Sequence, residues 1–544
     1  MTNAPNDDDD ERYEATCKDI IDELLKNKKI TPNFLNNIKN KVCKKYSLGK
    51  IPKNADILAK ASEEEKEILI PILQRRKTRT LSGVSVIAVM TKPYECPGEC
   101  IYCPGLASQP GESVAQSYTG REPAAMRSLM HNYDPFKQVS SRVDDLEAIG
   151  HACDKIELII MGGTFLSTPV SYQKKFIKGC IEGVLGEKTR SLTEAKLLAE
   201  TSNRRIIGET FETRPDYCKN KHIDAMLDYG GTRVEIGIQT TRDDIFQLVH
   251  RGHDTQESKR AIQAAKDAGF KVCLHLMPNL PGATIEADEE MFNTIFSDED
   301  YKPDYLKIYP CLVIGGTELE QWWREGKYEP YSTDSLIGLL AKVKSTIPNW
   351  IRIQRVQRDI PAYLILDGVK YSNLREMVWN RMDEMELECN CIRCNEYGFS
   401  RIHELKKRPI PSIDELQLNL ETYKASGGIE SFMSARDGQT GEIFGYVRMR
   451  IPSSLAHRPE INSQQTAIIR ELRVVGELVR VNEVANTLQA QHRGLGKKLM
   501  QYAENAAIKT YNASKIVVIA GIGVREYFYN LGYLKDGPYV SKIL

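Results

Sequence analysis

Three cysteines, Cys96, Cys100 and Cys103, stand at C-x3-C-x2-C within the stretch TKPYECPGECIYCPG. Each thiolate can hold one iron of a [4Fe–4S] cluster, and three ligands leave the fourth iron open to a substrate or cofactor. The same distinction separates an open catalytic zinc site from a closed structural one. A structural zinc knuckle is the competing assignment, but it wants a fourth Cys or His nearby. The next histidine, His131, lies far along the chain. The spacing therefore predicts a reactive iron–sulfur loop.

Such a loop needs a rigid scaffold. Strand-like runs begin at GVSVIAVM (83–90) and continue at KIELIIMGG, RIIGETFET, RVEIGIQT, KVCLHLMPNLPG and YLKIYPCLV, with amphipathic helical stretches such as NKHIDAMLDYG and ESKRAIQAAKDAG between them. Strand–helix alternation of this length predicts a parallel sheet wound as a full or partial barrel, with ligands at the carboxyl ends of its strands. The first strand ends where the cysteine loop begins. Gly162-Gly163-Thr164 closes a second strand, and glycines there let a ligand approach the backbone. Glu212, Arg214, Glu235 and Gln239 lie at or near further strand ends; singly, each is also an ordinary polar terminus. Cys153, Cys180, Cys218, Cys273 and Cys311 show no ligand spacing and read as core thiols.

A second cysteine group, Cys389, Cys391 and Cys394, follows the barrel pattern. Its C-x-C-x2-C spacing fits zinc better than a second cluster, with unliganded surface thiols as the alternative. His403, Cys311 or a residue folded back from elsewhere could complete it, and a zinc there would staple two domains. Beyond this point LNLETYKAS reads as a helix, followed by strands around a glycine turn, a strand at AIIRELRVV and another at KIVVIAG. Between the last two, Gln491-His-Arg-Gly494-Leu-Gly496 opens a helix. Free backbone N–H groups and the helix dipole would suit a pyrophosphate there, although a tight turn before a helix looks the same.

At the other end, CKDIIDELLKNKKI and the segment after Thr31-Pro32 have helical spacing behind an acidic start. Lys39, Lys41, Lys44, Lys45, Lys50 and Lys53 form one basic cluster; Arg75, Arg76, Lys77 and Arg79 form another. Clusters of this kind can hold phosphates, but solvated helix faces share the pattern. Lys+Arg and Asp+Glu balance at 74 each, so any nucleic-acid surface must be local. No apolar run approaches the roughly 20 residues of a membrane span, and the acidic start is no signal peptide. The 13 cysteines are odd in number and clustered or isolated, which argues against a secreted disulfide framework. A cytoplasmic protein is expected.

The first cysteine loop, with Tyr102 before its last ligand, resembles that of the radical S-adenosylmethionine (SAM) enzymes. The order of strand, Q-x-x-G-x-G loop, helix, strand and REYFYNLGY resembles the GNAT-type N-acetyltransferases. The pairing resembles the catalytic subunit family of Elongator, in an archaeal-type single-chain form. AVMTKP, QSYTGREPAAMR, MGGTF, ETRPDYC, RGHD, KIYPCLVI, RVQRDIP, QHRGLG and LGYLKDGPYV carry that resemblance from about residue 75 to 544.

The residue patterns and the resemblance together give an α/β architecture in four parts. These are a helical, basic, tRNA-binding region with an acidic tail (1–80), a radical SAM partial (β/α) barrel (81–370), a linker with the cysteine-rich zinc site (371–410) and a GNAT-like acetyltransferase domain (411–544). Cys96, Cys100 and Cys103 would hold the cluster, and Gly162-Gly163 would meet the amino group of SAM. Lys155 would contact acetyl-CoA. Glu471, Leu472, Arg473 and Val474 would run along its pantetheine arm, and Gln491, Gly494, Leu495, Gly496 and Lys497 would hold its pyrophosphate. The family's paired tyrosines fall on Tyr527 and Phe528. Phe528 lacks the hydroxyl, so any polarising role falls to Tyr527, and Arg473 replaces a histidine, which leaves only a backbone role secure there. The implied reaction is carboxymethylation at C5 of wobble uridine 34 of tRNA, with acetyl-CoA giving the two-carbon unit and SAM the radical. A neutral C5–H is too poor a nucleophile for ordinary acyl transfer, so the cofactor carries that chemistry. Expected partners are the tRNA anticodon stem-loop, the two small molecules and a second copy of the chain, but no membrane. A protein lysine N-acetyltransferase using the C-terminal domain alone is the alternative, and it leaves the cysteine loop without a task.

Overall fold

In a computed structural model the chain is described over residues 7–27, 30–48, 51–74, 83–104, 114–397, 411–462, 465–476 and 494–544. Seven strands run parallel: β1 (Ser85–Met90), β2 (Lys155–Met161), β3 (Arg205–Thr213), β4 (Gly231–Gln239), β5 (Lys271–Leu276), β6 (Tyr305–Ile308) and β8 (Arg352–Arg355). Between the last two lies β7 (Val313–Ile314), paired antiparallel with β9 (Ile365–Asp367). Chain order and sheet order coincide, as a simple right-handed winding requires. Helices such as Val170–Leu185, Asn220–Tyr229, Thr255–Asp267 and Thr333–Thr346 cover the outer face.

Period-2 alternation sorts the side chains. On β2, Ile156, Leu158 and Ile160 are fully buried and share one core with Phe176, Ile177 and Ile181 of the helix Val170–Leu185. The alternate residues Lys155, Glu157, Ile159 and Met161 face a cavity, as do Arg233 and Glu235 on β4 and Lys307 on β6. Barrels of this kind usually fill their interior with branched apolar side chains. This one is lined with charge, so its centre is a binding space.

A second sheet has the order β10-β11-β12-β13-β14-β16-β15, from β10 (Gln417–Ala425), β11 (Gly428–Arg436), β12 (Ile443–Ile451), β13 (Thr466–Val474), β14 (Lys515–Val518), β15 (Leu534–Asp536) and β16 (Tyr539–Ile543). The segment expected to be a helix is instead β10. It joins β11 through the two-residue turn Ser426-Gly427, both at positive φ, with Ala425 facing Gly428. That primed-turn geometry matches strand twist and commits the preceding segment to a hairpin. β13 and β14 pair in parallel over Thr466–Ile469 only, so residues 470–474 of β13 splay away from their neighbour.

The second sheet packs against the amino ends of the barrel strands. Gly521 and Gly523 rest on the β3 backbone: a Cβ on Gly523 would fall 2.6 Å from Ile206 N, and one on Gly521 would overlap the Ile207 carbonyl. Both glycines are required by that approach. The seam is ionic and buried. Arg450 pairs with Asp267 at 2.7 Å and Glu430 at 2.9 Å, and Lys266 approaches Glu430 at 3.6 Å.

Helices Asp7–Leu25, Pro32–Lys45, Asn54–Ala59 and Glu63–Leu73 form the N-terminal region around Ile20, Leu24, Ile57 and Leu69. Thr31 and Ser62 cap two of them through their hydroxyls. Lys39, expected in a phosphate-binding cluster, is buried and donates to Pro52 O (2.9 Å) and Asn54 Oδ1 (2.6 Å). It ties two helices together and is no surface cation. Lys45 pairs with Asp19; Lys41, Lys44 and Lys53 are exposed. Lys50 and the Arg75–Arg79 cluster lie outside the described residues, as do Gln491 and His403. Among the described residues no helix is long and apolar enough to cross a membrane.

Candidate active site

One cavity of about 1590 Å³ runs from the cysteine loop through the barrel and into the second sheet. Cys96, Cys100 and Cys103 line it at the carboxyl ends of the strands; Lys155, Lys271 and Arg352, each the first residue of its strand, line it at the other. The cavity is therefore a channel, with one mouth where such barrels place ligands and the other covered by the C-terminal domain.

At the first mouth the loop follows β1 directly. Cys96 Sγ lies 3.6 Å from Thr164 Oγ1, and Cys103 Sγ lies 3.2 Å from Ser117 Oγ. Arg251 Nη1 donates to Cys100 Sγ at 3.4 Å. The hydrogen bond between Cys103 and Cys100, with the Arg251 guanidinium beside it, lowers the Cys100 thiol against burial, while the same bond and burial raise Cys103. A thiolate is the form that ligates iron. Three sulfurs on one loop, all facing the cavity, match a cluster with one open iron. Nearby, Arg214 Nη1 and Gln239 Oε1 are buried without a hydrogen-bond partner and belong to residues that line the cavity. Buried polar atoms of this kind are usually satisfied, so they suit a polar ligand. Gln239 also holds a left-handed φ of 71°, a strained conformation of the sort found at ligand sites.

The glycine pair divides its work. Gly162 closes against β1, where any Cβ would overlap Thr91 Oγ1, whereas Gly163 faces the cavity with only Gln116 O near, at 3.9 Å. Gly163 is the one that leaves room for a ligand.

Across the barrel runs an ionic chain that no motif announced. Tyr118 donates to Glu212 (2.9 Å), Lys307 bridges Glu212 (3.3 Å) and Glu235, and His275 meets Glu235 at 3.0 Å. Arg233 joins Glu157 at 2.7 Å and Glu235 at 3.4 Å. Burial opposes charge on Glu235, but Lys307, His275 and Arg233 hold its carboxyl well below the usual range. The polar alternation on β4 to β6 was the available signal: charged residues at period 2 inside strands that are otherwise apolar.

At the second mouth Lys155 is half-buried, and burial lowers its ammonium below the ordinary value. The splayed part of β13 lines the channel there, including Leu472, Arg473 and Val474. The Glu471 side chain is committed elsewhere, accepting from Tyr305 of the barrel, from Tyr446 (3.1 Å) and from Arg448 Nε (2.9 Å). Its carboxylate ties the two domains, which leaves only its backbone for a ligand. Gly494 (φ 92°) caps the helix Leu495–Tyr511, and Leu495, Gly496 and Lys497 line the cavity in its first turn. A Cβ on Gly496 would fall 2.9 Å from the Tyr527 hydroxyl, so the glycine lets that hydroxyl approach the helix N-terminus. Phe528 is packed into the domain core, 5.2 Å from the Tyr527 ring and 5.9 Å from that of Tyr533.

The second cysteine group lies outside the channel mouths. The sulfurs of Cys389, Cys391 and Cys394 all lie within 4.8 Å of one another, and no fourth Cys, His, Asp or Glu joins them among the described residues. Tetrahedral Zn–S bonds of ~2.3 Å place sulfurs ~3.8 Å apart, so the donor set fits zinc. Lys344 donates to Cys389 Sγ (3.2 Å) and Cys394 Sγ (3.6 Å). Cys311, one of the candidates for a fourth ligand, packs instead in an apolar cluster with Cys100 and Ile101, as a core thiol would.

The sequence matches the Radical SAM superfamily over residues 91–295, the Radical_SAM C-terminal domain over 303–384 and the ELP3 N-terminal domain over 13–81. It is 45% identical over 528 residues to the tRNA uridine(34) acetyltransferase of Methanocaldococcus jannaschii, spanning 96% of each chain. It is 41% identical to Elongator complex protein 3 of Drosophila melanogaster, spanning 98% of this chain and 96% of that one. The solved structure of an archaeal Elp3 from Methanocaldococcus infernus, with residues 1–46 deleted, superposes with a TM-score of 0.75 at 40% identity, covering 86% of this chain and all of that one. Identity of this degree over nearly the whole length, with an overall fold that superposes on the solved relative, shows that the chain belongs to the family of Elongator complex protein 3 and the tRNA uridine(34) acetyltransferases.

Proposed function

We propose that the chain is a tRNA-modifying enzyme that forms 5-carboxymethyluridine at wobble uridine 34, using acetyl-CoA and a SAM-derived radical. The observation that carries this reading is the single channel that joins Cys96, Cys100 and Cys103 to Lys155, Leu495–Lys497 and Tyr527. When bound on those three thiolates, a [4Fe–4S] cluster with SAM supplies a 5′-deoxyadenosyl radical able to take hydrogen from an unactivated C–H.

The chain's own residues align and shield. Gly163 admits the cofactor's polar end, and the unpartnered Arg214 and Gln239 atoms hold its charged groups. The first turn of Leu495–Tyr511 offers backbone N–H groups and Lys497 to the coenzyme pyrophosphate. Residues 471–474 of β13, free of β14, offer backbone to its pantetheine arm. Tyr527, held over Gly496, offers its hydroxyl to the coenzyme beside the helix N-terminus, and Lys155 binds the coenzyme from the barrel side. Alignment of this kind can lower a barrier by several kcal/mol on its own. The uridine must leave its stack to enter, as single-stranded RNA permits. Exposed Lys41, Lys44 and Lys53, with Arg75, Arg76 and Lys77, contact phosphates, and a zinc on Cys389, Cys391 and Cys394 braces the connection between domains.

Anaerobically reconstituted protein, given tRNA, SAM, acetyl-CoA and a reductant, should yield carboxymethylated uridine by mass spectrometry of nucleosides. Acetylated lysine without modified uridine would favour the C-terminal domain acting alone, a reading that leaves the channel into the barrel unused.

A further inference from the structure

The segment Arg251-Gly-His-Asp254 carries no task in the reading above, yet it touches the cysteine loop directly. Arg251 is only 6% exposed. Its guanidinium has three anchors: Nη1 donates to Cys100 Sγ at 3.4 Å, Nε to His253 Nε2 at 3.0 Å, and Nη2 to the Gly237 carbonyl. None is a carboxylate, so among the described residues the anion that its charge faces is the Cys100 thiolate itself. His253 must accept at Nε2, which leaves its proton on Nδ1 toward Asp254 O, 3.4 Å away. Burial and the adjacent Arg251 keep that imidazole uncharged. The loop and the segment are also joined through the backbone, Ile101 N donating to Val249 O at 3.3 Å. A second cation, Arg214, clamps the arrangement: its Nη2 donates to Arg251 O at 2.8 Å while Asp216 holds it at 2.9 Å.

We infer that Arg251 sets the reduction potential of the cluster, by placing a desolvated positive charge and an N–H donor on the Cys100 sulfur. This rests on the reading that Cys96, Cys100 and Cys103 hold a [4Fe–4S] cluster. One-electron reduction from the 2+ to the 1+ state adds negative charge that spreads onto the thiolate sulfurs. A donor and a cation at one sulfur stabilise the reduced state more than the oxidised one and raise the midpoint potential. His253 acts through Arg251: it fixes the guanidinium without adding charge. Both are positioning residues.

The test is a redox titration of the reconstituted full-length chain without SAM, with dithionite as titrant and the reduced-cluster EPR signal as readout. Arg251→Gln should shift the midpoint to more negative potential with iron content unchanged. Arg251→Lys, which keeps the charge, should shift it less, and His253→Leu should give a small shift of the same sign. An unchanged midpoint in Arg251→Gln with full iron content overturns the inference. If that variant does not hold iron, His253→Leu decides: a negative shift supports the inference and a wild-type midpoint overturns it. A wild-type chain with no cluster signal overturns instead the reading on which the inference rests.

Discussion

Arg470 of the second sheet and Asp304 of the barrel form a two-pronged ion pair, Nη2 to Oδ1 at 2.5 Å and Nη1 to Oδ2 at 2.7 Å, with neither side chain exposed at all. Arg448 approaches the same carboxylate at 3.6 Å, and Glu430 takes Arg470 from the other side at 2.9 Å. A surface contact between mobile domains would be polar, wet and weakly paired. This seam is closer to a core built from charges, and the channel depends on it, because the lining comes from both sides.

Asp304→Ala should therefore cost roughly 3–5 kcal/mol, since it leaves Arg470 with Glu430 alone and Arg448 with Glu471 alone in a buried seam. Urea denaturation at neutral pH, compared with wild type, measures this. A loss below about 1 kcal/mol would mean that water enters the seam and solvates the arginines.

A second charge at the seam behaves in the opposite way. Glu209 on β3 is fully buried, neither carboxylate oxygen has a hydrogen-bond partner, and burial pushes its carboxyl up to about 8. An unfolded glutamate titrates near ~4.3. Between those values the folded chain keeps a proton that the unfolded chain has released. Stability from this group therefore falls as pH rises from about 4.3 toward 8 and levels off above, at up to ~1.4 kcal/mol per pH unit. Glu209→Gln should remove that slope, which denaturation midpoints measured across pH 5 to 8 would show. An unaltered slope would assign it to other groups.

These two residues mark what sequence patterning could and could not reach. The cysteine loop, the strand order and the helix after Gly494 were legible because each is local: a spacing, a period or a turn residue. The Lys307–Glu235–Arg233 chain and the Asp304–Arg470 pair join residues far apart in sequence, and isolated charges in apolar strands do not name their partners. Lys39 failed for the same reason, since a lysine in a basic run looks alike whether it meets phosphate or Asn54. The β10 strand was not legible in LNLETYKAS itself; the Ser426-Gly427 turn and the pairing with β11 commit that segment to a hairpin. The direction from which the C-terminal domain meets the barrel was not legible at all; it depends on Gly521 and Gly523 finding the β3 backbone.

The cysteine loop has one tight constraint of its own. A Cβ on Gly98 would overlap Arg214 Nη1, and Arg214 cannot swing away because Asp216 and the Arg251 carbonyl hold it. Gly98→Ala should cost about 1–3 kcal/mol as overpacking and lower the iron retained after reconstitution. Gly338→Ala is the control: nothing lies within 4 Å of a Cβ there, inside the helix Thr333–Thr346, so it should be neutral or stabilising. Full iron content in Gly98→Ala would show that the loop adjusts around the methyl group.

The channel itself is tested at Lys155. It opens β2 at the mouth remote from Cys100, it lines the same cavity as Gly496 and Tyr527, and burial already lowers its ammonium. An exposed lysine at a strand start would contribute to no ligand. A lysine that binds acetyl-CoA from the barrel side should matter to coenzyme affinity while leaving the cysteine loop untouched. Lys155→Ala is expected to weaken acetyl-CoA binding by roughly tenfold, the ~1.4 kcal/mol typical of a lost charge-assisted hydrogen bond, and to depress tRNA-dependent turnover. Iron content and the cluster absorbance should stay at wild-type levels, because the substitution lies at the opposite ends of the strands. Calorimetry with acetyl-CoA and an iron assay on the same preparation separate these effects. Wild-type affinity together with wild-type turnover would count directly against a site shared by the two domains, and loss of iron would mean that Lys155 supports the barrel rather than the coenzyme.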